Sequence, residues 1–258
     1  LGLDSNTKIT EKSVSRDHTE RMFEYFGANI SYSKTETTLE KTMNFSSQNI
    51  EIPGDFSSSA FYIVASIISK NSEITLKDVG INPSRIALLN KLVEMGANIK
   101  VLNNSLFGKE PVADIKVKSS PLVACKVTSE DVPNLIDELP ILFIASAFAE
   151  GTSSFDKIDE LKHKESDRLK AMQEGLDKMN IKNFFSGNKF CIEGRGSDFK
   201  TPHFSAETYY DHRIAMSFAI AGLNSSSSIE VSSSESINTS FPEFIDIGKK
   251  LGCNFERG

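Results

Sequence analysis

Apolar residues fall along this chain in blocks of two kinds. Three runs, "FYIVASIISK" (61–70), "ILFIASAFAE" (141–150) and "IAMSFAIAGL" (214–223), are apolar around almost the whole helical circumference. That pattern predicts helices buried on every side. Each run passes through small residues into a short strand pattern, as in "NSEITLKDV", "GTSSFDKI" and "NSSSSIEV". A loop then leads into a segment with a single apolar stripe, entered at "NPSR", "HKESDR" and "NTSFPEF". Between 160 and 179 the stripe is Leu169, Met172, Leu176 and Met179. Wound back at 100° per residue, a helix over this whole span carries Glu165 along the stripe and Arg168 on its edge, with Lys164 stacked on Arg168.

The blocks recur as a unit: apolar helix, strand, amphipathic helix, strand, about 70–85 residues long. The helix ends repeat as well. "FEYFGANISY" (23–32) and "LVEMGANIKV" (92–101) share a helix tail, Gly-Ala-Asn and a strand, and "LDKMNIKNF" and "GKKLGCNFE" are weaker copies. Gly27, Gly96 and Gly252 are expected to close their helices in the left-handed conformation. By the same alignment, Gly2-Leu3-Asp4-Ser5 falls on Gly222-Leu223-Asn224-Ser225. The chain then starts on the last turn of an apolar helix, as expected for the C-terminal part of a longer protein. A simple lead-in to the first strand is the alternative. The polar stretch 34–55, with Pro53-Gly54, marks a boundary: residues 1–48 as the closing half-unit of one domain, 49–258 as three units of a second. Residues 185–207 are Gly-rich and read as a hairpin followed by a loop.

Charge narrows the function. The formal net charge of −6 disfavours non-specific nucleic-acid binding. No run of about 18 apolar residues suggests a membrane span. Cys125, Cys191 and Cys253 are scattered, without CxxC or nearby histidines, which fits inert thiols in a soluble intracellular protein rather than a zinc site. The four histidines have no metal-ligand spacing.

Charged residues gather where buried helices begin. Arg16 extends the stripe formed by Thr19, Met22, Phe23 and Phe26; Asp137-Glu138 opens one apolar helix and Asp211-His212-Arg213 another. A helix N-terminus offers free N–H groups and about half a positive charge. With Arg or Lys beside it, such an end suits an anionic ligand. Were these ends to converge, Arg16, Lys164, Arg168 and Arg213 would surround the carboxylates Asp137 and Glu165. Capping is the ordinary alternative for Asp137, and caps or local ion pairs account for Asp17, Asp55 and Asp167. Arg213, at the head of an otherwise apolar helix, is costly to bury unpaired and favours a functional role.

The motifs "SRDHTERM" (15–22), "DELPILFIASAFAEG" (137–151), "ELKHKESDR" (160–168), "YDHRIAM" (210–216) and "TSFPEF" (239–244) resemble those of the 5-enolpyruvylshikimate-3-phosphate synthase family, in order and separation. "SRDHTE", "KESDR" and "DHRIAM" together set the chain apart from the UDP-N-acetylglucosamine enolpyruvyl transferases, the third possibility. A non-catalytic relative or binding module is the second. The resemblance implies an α/β (α+β) enolpyruvyl transferase-like fold of repeated βαβαββ units, with helix N-termini facing the interdomain cleft. It implies enolpyruvyl transfer from phosphoenolpyruvate to the 5-hydroxyl of shikimate 3-phosphate, in a cytoplasmic enzyme that is a monomer when intact and needs no metal or organic cofactor. Asp137 resembles the proton acceptor at that hydroxyl, and Glu165 the acid at the methylene carbon. Lys164 and Arg16 match the shikimate-phosphate side; Arg168 and Arg213 match residues that grip phosphoenolpyruvate. Burial along a stripe would oppose ionisation of Glu165, and the neighbouring cations would favour it. Some members carry Lys before the Phe-Pro pair near the C-terminus, where this chain has Ser240-Phe241-Pro242.

Overall fold

In the computed structural model, which describes residues 5–12, 14–41 and 45–256, all three apolar runs are helices. The chain opens with β1 (Thr7–Thr10), α1 (His18–Tyr25), β2 (Ile30–Tyr32) and β3 (Glu36–Leu39). The first full round is α2 (Phe56–Ile68), β4 (Glu73–Gly80), α3 (Ala87–Glu94), β5 (Asn98–Phe107) and β6 (Glu110–Lys118). The short β7 (Leu122–Val123), β8 (Lys126–Val127) and α4 (Val132–Leu135) lead to the second. That round is α5 (Leu139–Ala147), β9 (Ala149–Asp156), α6 (Arg168–Lys178), β10 (Asn183–Ser186) and β11 (Lys189–Arg195). After β12 (Ser205–Ala206), the third round has α7 (His212–Gly222), β13 (Glu230–Val231) and α8 (Phe244–Lys250). Residues 253–256 form no strand, so the last copy of the repeat ends differently from the first two. The helix end anticipated at residues 2–4 lies outside the described residues.

The repeated helix ends share one geometry. Gly27, Gly96 and Gly252 have φ of +85°, +95° and +89°. In each case the glycine N–H returns to the carbonyl three residues back, and the next N–H returns five residues back: Ala28 to Phe23, Ala97 to Leu92 and Cys253 to Gly248. These are Schellman closures, which satisfy the last helix carbonyls and require a left-handed residue. The copy at 176–181 uses Asn180 (φ +59°) with Ile181 N–H bonded to Leu176. Asparagine tolerates that conformation, so the fourth end works without glycine.

The chain divides into two compact units that are not continuous in sequence. The first takes Leu1–Phe56, Leu76–Ile86 and Val101–Ile115. In it β1, β3 and β2 form an antiparallel sheet in that order, with Thr7 and Ile30 both opposite Leu39. No residue of α1 is buried, and Met22, expected in a core stripe, is 49% exposed. The buried carboxylate of Asp114 accepts from Lys77 Nζ (2.6 Å), Asn103 Nδ2 (2.6 Å) and Asp78 N (3.1 Å). Those donors, Lys77 first, hold its pKa down at about 2. A folded pKa below the unfolded value, near 4, gives stability that is present above pH 4 and is lost as pH falls through about 2. Urea midpoints measured from pH 5 to pH 2 should therefore fall less steeply in Asp114→Asn than in the wild type; parallel slopes would contradict this network.

The second unit takes Ser57–Thr75, Ala87–Lys100 and Lys116–Gly258. Its centre is α5, every residue of which is buried. Strands run in the order β10-β11-β9-β7, with β10 and β11 joined as the expected hairpin and β7 parallel to β9. Phe143 of α5 packs at 4.7 Å from Phe155 and 5.2 Å from Phe190 between ring centroids. Leu169, Met172, Leu176 and Met179 are all buried, so the predicted stripe is real over the helix itself. Among the described residues, no helix is long and apolar enough to cross a membrane.

Candidate active site

The helix expected over 160–179 starts late, at Arg168. Residues 159–163 form a 3₁₀ turn, Lys164 is extended, and Asp167 caps the helix by accepting from Lys170 N at 3.0 Å. A short carboxylate that can capture N–H groups just ahead of an apolar stripe ends the helix there. This corrects the placement of the two charges. Glu165 is off the helix with its side chain 55% exposed, whereas the Arg168 side chain is 1% exposed. The stripe residue was expected to be the carboxylate, and the guanidinium is buried instead.

Burying one guanidinium costs several kcal/mol even after relaxation. The four apolar side chains behind it contribute roughly 6–12 kcal/mol by full burial, so the helix can carry the charge if it is paired. The pairing is extensive. Arg168 Nε donates to Asp211 Oδ2 at 2.8 Å and Nη2 donates to Glu165 Oε2 at 2.5 Å. Nη1 is buried without a hydrogen-bond partner, 3.8 Å from Asp137 Oδ1.

Asp211 is fully buried and links two helices. Its Oδ1 caps α7 by accepting from Arg213 N (2.9 Å) and Ile214 N (3.4 Å), and its Oδ2 also accepts from Ser166 Oγ at 3.1 Å. Farther along, α6 and α7 touch at Gly175, where a Cβ would lie 1.9 Å from the Phe218 ring. Only glycine allows this approach, which fixes the spacing of the two helix starts.

At the head of α5, Arg213 Nη1 donates to the backbone carbonyl of Asp137 at 2.8 Å and lies 3.6 Å from Glu138 Oε1. Asp137 Oδ2 is 4.0 Å from Arg213 Nη2. Glu138, 2% exposed, accepts from Ser57 Oγ on the first turn of α2. His212 is half-buried, and burial, then the charge of Arg213, push its imidazole below its ordinary pKa.

Asp137, Glu165, Arg168 and Arg213 are thus brought together. Lys164 pairs instead with Glu160 at 2.8 Å. Arg16 belongs to the first unit, exposed in the coil two residues before α1 rather than on that helix. Asp211, Glu138, Ser57 and Ser166 were not identified as site residues from sequence. The capping preference of Asp before an apolar run signalled one role of Asp211, but nothing in the sequence indicates its bond to an arginine 43 residues away. The cluster holds two guanidiniums (Arg168, Arg213) and four carboxylates (Asp137, Glu138, Glu165, Asp211), the reverse of the cation-rich cleft expected.

In this chain the leading ends of α2, α5 and α7 are linked through Ser57, Glu138 and Arg213. The chain superimposes on NikO from Streptomyces tendae with a TM-score of 0.75 over 97% of its length, at 15% identity, and so has that fold. EPSP synthase from Acinetobacter baumannii matches with a TM-score of 0.94 and 38% identity over 99% of this chain and 59% of that one. The profile described as EPSP synthase (3-phosphoshikimate 1-carboxyvinyltransferase) matches residues 2–247, and the chain belongs to this family. The 3-phosphoshikimate 1-carboxyvinyltransferases of Petrotoga mobilis and Carboxydothermus hydrogenoformans are 43% and 41% identical over 95% and 97% of the chain. The chain spans 56% and 58% of those relatives' own lengths.

Proposed function

We propose that this chain serves the reaction named for its family: transfer of the enolpyruvyl group of phosphoenolpyruvate to the 5-hydroxyl of shikimate 3-phosphate, with release of phosphate, in the cytoplasm. The observation that carries the proposal is the buried Arg168 guanidinium, set among Asp137, Glu165 and Asp211 with its Nη1 unbonded. A planar fork whose Nη1 is unbonded suits a carboxylate or phosphate. Addition of the hydroxyl across the enol double bond needs a base at oxygen and an acid at the methylene carbon. In our assignment Asp137 takes the hydroxyl proton and Glu165 supplies the proton to carbon. Loss of phosphate and of one methyl proton then restores the double bond. Arg168 and Arg213 hold phosphoenolpyruvate. An anion that engages Arg168 would draw it from Glu165 and leave that carboxyl free to approach the carbon. Lys164 and Arg16 are assigned to shikimate 3-phosphate, and residues 1–48 to the end of a first domain, 49–258 to a second.

Two anionic substrates could not be held by a cluster in which carboxylates outnumber guanidiniums; further cations must come from outside it. The 258-residue chain by itself should release no phosphate from the two substrates, whereas the full product of its gene should do so. Steady release by the 258-residue chain would refute the first expectation, and no release by the full product would refute the proposed reaction.

A further inference from the structure

Asp17 stands at the N-cap of α1, yet its carboxylate makes no capping bond to that helix. Its two oxygens are committed elsewhere. Oδ2 accepts from Arg21 Nε at 2.9 Å, and Oδ1 accepts from Asn82 Nδ2 at 2.7 Å, a residue 65 positions away. The second N–H of the same amide donates to Glu110 Oε2 at 3.1 Å, and Glu110 Oε1 lies 2.8 Å from His18 Nδ1. On its other side, Asn82 Oδ1 accepts from both Ser84 N (2.9 Å) and Ser84 Oγ (2.7 Å).

Asn82 is 2% exposed, and all four of its hydrogen-bonding positions are used. The two Ser84 bonds fix which way the amide faces, so both N–H groups point at carboxylates. A neutral double donor is the side chain that can sit between Asp17 and Glu110 without adding charge. Aspartate there would place a third carboxylate against two others, and alanine would leave two carboxylates without the donor between them. All these residues lie in the first unit.

What the network holds in place is the stretch entering α1. Residues 14–17 are in neither helix nor strand, and Arg16 is the residue directly before Asp17. We infer that Asn82 and Glu110 are positioning residues for Arg16, clamping Asp17 and His18 so that the preceding guanidinium is presented in one place. The inference rests on the assignment of Arg16 to shikimate 3-phosphate made above.

Steady-state kinetics on the full gene product, with each substrate varied in turn, separates the two ideas. Asn82→Ala should raise KM for shikimate 3-phosphate about tenfold, with kcat and KM for phosphoenolpyruvate within about twofold of the wild type. Asn82→Asp should be worse than Asn82→Ala at the same parameter. In the 258-residue chain, amide hydrogen exchange over residues 15–21 should speed up in Asn82→Ala. If Arg16→Ala raises KM for shikimate 3-phosphate and Asn82→Ala does not, the clamp is wrong while the assignment of Arg16 stands. If Arg16→Ala leaves that KM unchanged, both fall. A general loss in kcat and both KM values would mean ordinary structural damage and would also overturn the clamp. Should Asn82→Ala fail to fold, Glu110→Gln, which replaces the carboxylate facing both His18 Nδ1 and Asn82 Nδ2 with a neutral amide, must shift the same KM by about threefold or the inference is withdrawn.

Discussion

Arg168→Met should lower the thermal midpoint of the 258-residue chain by about 10 °C, taking the 2–4 °C per kcal/mol typical of chains near this size. Methionine fills much of the same volume, so the loss comes from the partners. Asp211 is fully buried and would lose its guanidinium partner with Arg168 gone. Removing one member of a buried ion pair typically costs about 3–5 kcal/mol, because the other is left uncompensated. Asp211 must still cap α7, so it cannot turn away without exposing the first N–H groups of that helix. The double variant Arg168→Met with Asp211→Asn should recover part of the loss, since the amide oxygen can still cap and carries no charge. A midpoint for Arg168→Met within about 2 °C of the wild type would show that Arg168 and Asp211 do not form the buried pair described.

Asp137→Asn, made in the full gene product, should lower kcat about a thousandfold, within the range attributed to a positioned general base. Its effect on KM should be small. The hydrogen bond that seats Arg213 is made to the backbone carbonyl of Asp137 and survives the change. Asparagine keeps the size of the side chain and removes its charge beside Arg168 and Arg213, and with it the ability to accept the hydroxyl proton. Phosphate release at saturating substrates measures the first effect, and calorimetry with shikimate 3-phosphate checks that binding persists. A kcat within about tenfold of the wild type would remove Asp137 from the role of base.

Which parts of this molecule could be read from its letters follows from how far apart the interacting residues are. The apolar runs at 61–70, 141–150 and 214–223 gave the buried helices directly, because burial on all sides leaves no polar face to interpret. Gly27, Gly96 and Gly252 marked helix ends because a left-handed closure is a local demand of the backbone. The start of α6 was misplaced by eight residues, since periodicity continued through Glu165 while the competing signal was one capping bond at Asp167. That shift exchanged the surroundings of Glu165 and Arg168, and with them the expected desolvation of the carboxylate. The gathering of Asp137, Glu165, Arg168 and Arg213 was anticipated from helix starts and family motifs. The carboxylates that hold the arginines, Asp211 and Glu138, were not, because their pairing depends on distances between helices. The apolar face expected on α1 is only partly covered among the described residues, with Met22 exposed and Phe23 and Phe26 half-buried, a property of packing that the stripe alone could not reveal.

The wholly enclosed α5 sets how the charged cluster can come apart. Amides of a helix with no solvent-facing residue open only when the surrounding unit opens, and should be among the last to exchange with deuterated water. Asp137 and Glu138 sit at the mouth of that slow segment, so local fraying offers no route to rearranging them. Any adjustment on ligand arrival must then come from the more accessible side, the bend that carries Lys164 and Glu165.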